Sequence, residues 1–199
     1  MRALFWAVVV LIAACAPARD YSEHAFQRWI TADAARGREF HRFEDMLRAE
    51  GVSGVVPDYQ LWRVDQLMPG CANRAFLAPP DRYWRNILPT LRFIRDHVKP
   101  ALGDLEIVSG YRDPVLNNCI HGAPRSMHRG FYALDLLPTD TSVSAGEVER
   151  RLCAIHAAEG RRANIGLGLY AARRFHIDAR GYRGWGGDHH TATFPCATR

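Results

Sequence analysis

The feature that most constrains this chain stands at its very start. After Met1-Arg2 come twelve uncharged apolar residues, Ala3–Ala14 (ALFWAVVVLIAA), and then a cysteine, Cys15. Twelve residues are too few to span a bilayer as a helix, which needs about 20. A positive start, a short apolar run and small residues at its end are the marks of a secretory signal. Export decides what the rest of the chain can be, because it moves the remaining cysteines from a reducing to an oxidising compartment.

Two ways of processing that signal are written in the sequence. Ala16-Pro17-Ala18 offers an A-x-A site for ordinary cleavage. Ile12-Ala13-Ala14-Cys15 resembles the bacterial lipobox, in which the cysteine is lipidated and becomes the new N-terminus. We adopt the second, because Cys15 directly follows the apolar run and two small residues. Residues 1–14 are then a signal peptide, and a lipid on Cys15 anchors the protein to a membrane. The expected location is the periplasm or cell envelope.

Of the five cysteines, Cys71, Cys119, Cys153 and Cys196 remain. None of these lies at the C-x2–4-C spacing of a thiolate zinc site, so two disulfides are expected. Four cysteines allow three pairings, which the sequence leaves open. The 199 residues suit one domain, or a domain with a short extension, and 48% hydrophobic with 24% charged residues excludes a disordered or polytopic membrane protein. A net charge of +5 suits an anionic polymer such as the cell wall. The chain has no basic-aromatic array, glycine-rich phosphate loop or heptad array, and no nucleic-acid partner is expected.

Periodicity divides the exported chain into an N-terminal helical and loop extension over 20–84 and a main domain over 85–199. Phe26, Trp29, Ile30, Ala34, Phe40, Phe43 and Leu47 recur at helical steps. A second helix is predicted over Arg85–Val98, stopped by Pro100. A third begins at Ser144, with Glu147 completing a capping box and Val148, Leu152 and Ile155 forming its buried face. Strands are predicted at Leu105–Val108, Tyr132–Leu137, Ile165–Tyr170 and Arg174–Ala179, the last two joined by a tight turn. Without a regular β-α-β rhythm, the expected class is α+β, a small antiparallel sheet with helices packed on it.

Three segments could carry chemistry. Ser126-Met127-His128-Arg129-Gly130-Phe131-Tyr132-Ala133-Leu134-Asp135 combines an imidazole with a carboxylate in an apolar strand, where an unpaired charge is costly. Both are zinc ligand types, with Gly130 free to turn the chain between them. On spacing alone, a surface histidine and a capping aspartate are the commoner explanation. In Arg174-Phe175-His176-Ile177-Asp178, a strand would place His176 and Asp178 on one face. His128, Asp135 and His176 would supply the three ligands of a catalytic zinc. The bland alternative is a strand histidine beside an Asp178 paired with Arg174 or Arg180. Ser109-Gly110-Tyr111-Arg112 follows a strand, where Arg112 could hold a carboxylate or an oxyanion, or merely brace Asp113. His189-His190 read as exposed, and Trp185 as a cleft wall or a core aromatic.

Taken in order, SGYRDPVLNN at Ser109–Asn118, SMHRGFYALD at Ser126–Asp135 and FHIDARGYRGW at Phe175–Trp185 resemble the zinc D-alanyl-D-alanine peptidases. That family comprises wall D,D-carboxypeptidases and murein endopeptidases and shares its fold with the Hedgehog signalling domain. The match covers Leu88–Trp185, about half of the chain, and the central ten residues are its most specific part. The resemblance implies a Hedgehog/D-Ala-D-Ala-peptidase-like fold, a Zn²⁺ held by His128, Asp135 and His176, Arg112 facing the scissile carbonyl or its oxyanion, and Ser126 binding the substrate peptide. The implied partners are peptidoglycan stem peptides. Some relatives carry a Glu three residues before the last histidine ligand, where this chain has Arg173; others carry His-x-His, where this chain has His176-x-Asp178. Asp178 is therefore expected to be the general base or the group that orients His176. The expected activity is hydrolysis of D-amino-acid peptide bonds; the alternative is an inactive, zinc-stabilised wall-binding or structural lipoprotein.

Overall fold

The computed structural model describes residues 19–198, with 65, 67, 68, 72 and 73 left out. The expected lipid-bearing Cys15 and the signal of residues 1–14 lie outside the described residues. Among the described residues, no helix is long and apolar enough to cross a membrane.

The N-terminal segment forms two helices, α1 (Glu23–Thr31) and α2 (Ala34–Ala49). They separate at Asp33, whose carboxylate caps α2 by accepting from the backbone N–H groups of Ala35 and Arg36. Their apolar faces place Phe26, Phe40, Phe43 and Leu47 in the interior. After a 3₁₀ turn at Asp58–Trp62, a second 3₁₀ stretch (Asp81–Ile87) leads into α3 (Leu88–Phe93). The helical path then widens into a π-turn over Ile94–Val98 and continues as α4 (Lys99–Leu102), ending at Gly103 with φ 77°. Pro100 thus does not stop the helix where the sequence places its end. It sits in the first turn of α4, just after the π-turn, where a missing N–H and a fixed φ are tolerated.

The sheet has five strands: β1 (Leu105–Ser109), β2 (Ala133–Pro138), β3 (Gly166–Leu169), β4 (Phe175–Asp178) and β5 (Arg183–Trp185). Their order is β1-β2-β4-β3-β5. Four of the strands match the predicted segments to within a residue or so. The sheet is mixed rather than antiparallel, because β5 pairs with β3 in parallel. β3 and β4 form a hairpin, so the end of β4 lies beside the start of β3; residues 179–182 then cross that edge, and β5 starts along β3 in the same direction. The hairpin turn puts Ala172 and Arg173 at φ 56° and 66°, the left-handed pair that a tight strand reversal requires.

Helix α5 (Pro114–Cys119) follows β1, capped by Asp113. Helix α6 (Ala145–Ile155) starts as predicted at Ser144, whose hydroxyl accepts from the Glu147 N–H. Only half of the capping box forms: the Glu147 side chain turns instead to Arg150 and Arg151. Val148 and Leu152 are buried, while Ile155 is only partly so. Two disulfides are present, Cys71–Cys119 tying the loop at Pro69–Cys71 to α5, and Cys153–Cys196 tying α6 to the C-terminal turn. One buried cluster runs from Phe26 through Trp62, Ile94 and Leu134 to Phe194, so the N-terminal helices share their core with the sheet.

Candidate metal centre

Asp135 and His176 face each other as register partners on β2 and β4. The same row across the sheet contains Ser109 on β1, Gly168 on β3 and Trp185 on β5. The absence of a side chain at Gly168 matters, since a Cβ there would stand 2.5 Å from the Trp185 indole nitrogen. The gap lets Trp185 approach His176, with ring centroids 5.0 Å apart. One residue pair along, Asp178 on β4, Gly166 on β3 and Arg183 on β5 form the next row on that face. Gly166 leaves the space through which Arg183 reaches Asp178, with Nη2 2.6 Å from Oδ2. Alternation along the strands thus stacks a row of candidate ligands on a row that supports it.

His128 arrives from outside the sheet, on the 3₁₀ turn Met127–Gly130. That turn is tied to the loop after β1 by a bond from the Arg112 N–H to the His128 carbonyl. The left-handed residue that sends the chain into β2 is Phe131, φ 57°, not Gly130 as the sequence suggests. Gly130 is needed for space instead: a Cβ there would meet the Tyr132 ring at 2.5 Å.

His128, Asp135 and His176 are all buried and offer ligand atoms within 4.8 Å of one another. His128 Nε2 lies 3.1 Å from His176 Nδ1 and 3.3 Å from Asp135 Oδ1, and His176 Nδ1 lies 3.1 Å from that same oxygen. Each imidazole is bound at its other nitrogen by an acceptor. His128 Nδ1 is 2.7 Å from the Gly110 carbonyl, and His176 Nε2 is 2.9 Å from Asp178 Oδ2. An N–H donated to each acceptor leaves a lone pair on the facing nitrogen. Two imidazole nitrogens and a carboxylate oxygen then converge, which is the donor set a divalent cation needs. The group can hold a metal ion.

Burial pushes His128 down, helped by the neighbouring Arg112. Burial acts against the charged form of Asp135, but His128 and Arg112 outweigh it and hold the carboxyl well below the ordinary carboxylate range. For His176, bonds to Asp135 and Asp178 overcome burial and raise it. Asp178 is opposed by burial yet kept low by His176 and Arg183. The two aspartates therefore remain anionic around His176 and favour positive charge at Nδ1.

The other sequence-derived candidates fall into two groups. Arg112 lies at the site but donates Nη2 to Asp135 Oδ2 at 2.6 Å and Nε to the Ser109 hydroxyl at 3.0 Å. Ser126 and Arg112 both line a cleft of about 690 Å³ whose floor contains His128, Asp135 and His176. Asp178 does not line that cleft; it is fully buried between His176, Arg183 and the Arg180 N–H. Its partner is thus Arg183, with Arg180 contributing only backbone, rather than the Arg174 side chain. Arg173 donates to the Asp140 carbonyl at 2.7 Å.

The cleft also brings in residues to which the sequence reading gave no role in the site: Arg125, His121, Tyr170 and Arg174, with His189 exposed at the rim. Trp185 is indeed a wall, its Nε1 donating to the Tyr170 hydroxyl at 3.0 Å. Burial, with the nearby Asp135 charge, pushes the Tyr170 phenol up to about 12. The alternation Gly166-x-Gly168 opposite His176-x-Asp178 is the sequence signal that could have found the supporting row. No family model, curated protein or solved structure matches the chain.

Proposed function

We propose that this chain is an exported zinc-dependent peptidase that hydrolyses D-amino-acid peptide bonds in peptidoglycan stem peptides or cross-links, on a Hedgehog/D-Ala-D-Ala-peptidase-like fold. One observation carries the reading: the facing nitrogens of His128 and His176 converge with Asp135 Oδ1 on the floor of an open cleft, while an acceptor engages the other nitrogen of each ring. Two imidazoles and one carboxylate suit Zn²⁺, and three protein ligands leave a position for water or substrate. When bound, the ion would supply Lewis acidity to a peptide carbonyl and a water acidified towards about pH 7.

The chain's own groups take the remaining roles. The Gly110 carbonyl and Asp178 orient the two imidazoles, and Arg112 holds Asp135 by its outer oxygen, leaving Oδ1 for the ion. Ser126 offers a polar group to the substrate peptide along the cleft wall. Of the two roles open to Asp178, its enclosure behind His176 favours orientation over proton transfer. The protein would act in the periplasm or cell envelope, anchored through a lipid on Cys15. Both disulfides suit that oxidising setting.

One observation favours a second reading. Among the described residues that line the cleft, Asp135 is the one carboxylate, and it is committed to the ligand set. A zinc-stabilised wall-binding lipoprotein without turnover would need no further proton acceptor. The deciding experiment incubates the purified full chain with muropeptides, with and without chelator, and resolves the products by mass spectrometry. Metal-dependent loss of a D-amino acid or of a cross-link, with about one zinc per chain, is the expected result. Wall binding without metal-dependent cleavage would sink the peptidase and leave the binding protein.

A further inference from the structure

The cleft has an imbalance of charge that the metal centre does not explain. Among the described residues, four arginines line it, Arg112, Arg125, Arg174 and Arg183, against the single carboxylate of Asp135. Arg112 is bound to Asp135 and Ser109, and Arg183 is bound to Asp178. Two guanidinium groups therefore face the cleft without a carboxylate of the described residues at hydrogen-bonding distance: Arg125 on the loop before His128, and Arg174 beside β4.

They are not equivalent. Arg125 is exposed, so its long side chain must be ordered by whatever it binds. Arg174 is already placed. Its guanidinium lies over the Tyr170 ring, 4.3 Å from the centroid, and Tyr170 is itself pinned by the Trp185 indole. A quarter of the Arg174 side chain remains exposed, at 24%, and its Nη1 stands 3.9 Å from Asp135 Oδ2. That is too long for a hydrogen bond, yet it puts the cation beside the ligand set. A planar group stacked on an aromatic face keeps its edge free for a bidentate anion.

We propose that Arg174, braced on Tyr170, binds a free carboxylate on the substrate residue next to the cleaved bond, so that the cleft selects peptides whose leaving residue keeps its α-carboxylate. This rests on the peptidase reading and narrows it. The leaving residue carries a free carboxylate whether it is a chain terminus or the branch of a cross-link, and an amidated residue is disfavoured. Arg174 is a specificity determinant distinct from Arg112, whose hydrogen bonds serve the ligand Asp135.

The test uses the full chain loaded with zinc and two acetylated peptides of D-amino acids, alike except that one ends in a carboxylate and the other in its amide. Cleavage and, separately, calorimetric binding are measured for the wild type, Arg174→Gln, Arg174→Lys and Arg125→Gln. Zinc content and melting temperature serve as controls for the ligand set and the fold. The wild type should prefer the acid by about 10–100-fold, the scale of one charge-assisted bidentate contact. Arg174→Gln should abolish most of that preference by raising KM for the acid, with zinc content as in the wild type. Arg174→Lys should restore part of it, and Arg125→Gln should preserve it. A preference that survives Arg174→Gln in a zinc-loaded, folded protein would overturn the assignment, as would equal binding of acid and amide by the wild type. Failure of every variant and the wild type to cleave, with the acid still bound through Arg174, would refute the peptidase and leave the carboxylate site standing.

Discussion

Asp178 shows how a carboxylate can matter without facing solvent. It is fully buried, accepts from His176 Nε2 at 2.9 Å, and is balanced by Arg183 at 2.6 Å. Its charge selects the His176 tautomer that leaves Nδ1 open. Asp178→Asn keeps the shape but removes that charge, and metal affinity should fall about 10–100-fold. Competition with a fluorescent zinc chelator measures this, and unchanged affinity would remove Asp178 from the site. Neighbouring residues obey the same logic of enclosure: Asp135 is 3% exposed and tolerated because Arg112 and two histidines surround it. His128, Asp135 and His176 were legible through ordered motifs that resemble a peptidase family, since spacing alone favoured a surface histidine and a capping aspartate. Arg174 and Tyr170 were not, because an arginine and a tyrosine near a hairpin are ordinary until the fold turns them into one cleft.

At the scale of the element, strand alternation places the chemistry and glycine makes room for it. Gly168→Ala would drive a Cβ to 2.5 Å from the Trp185 indole nitrogen, forcing the cleft wall to move. The expected cost is about 1–3 kcal/mol, as for overpacked interiors, and a urea melt that matches the wild type would contradict it. Helix α6 supplies a pH test. Glu147 is lowered from 4.5 to about 2 by its hydrogen bonds to Arg150 and Arg151. A carboxyl depressed in the folded state contributes stability that is complete above its unfolded value and lost as pH falls through the folded one. Glu147→Gln has no such contribution to lose, so its stability should fall less steeply than that of the wild type between about pH 4.5 and 2. Parallel acid titrations of thermal stability would detect the difference, and superimposable profiles would refute it. The same helix exposes a limit of sequence patterns. Ser144-x-x-Glu147 predicts a reciprocal box, but two arginines one turn on compete for the glutamate and win it.

The whole molecule is held by an aromatic assembly that joins its N-terminal helices to the sheet. Phe26 is fully buried, with Phe40, Phe76 and Tyr59 rings at 4.6, 5.1 and 5.7 Å. Phe26→Ala should destabilise the protein by about 3–5 kcal/mol, the range for emptying a large core site. A cost below 1 kcal/mol in chemical denaturation would mean that residues 20–84 are an appendage. By itself, the sequence determined the α+β class, four strand positions, the start of α6 and the presence of two disulfides. Those follow from local physics: side-chain period, capping chemistry and cysteine count. Tertiary structure alone decided the parallel edge strand, the pairing Cys71–Cys119 and Cys153–Cys196, and the enclosure of Asp178. It also decided which arginines are bound and which face the cleft. Those outcomes depend on which segments become neighbours in space: the paired cysteines stand 48 and 43 positions apart, and β5 reaches β3 only after the chain has passed through β4.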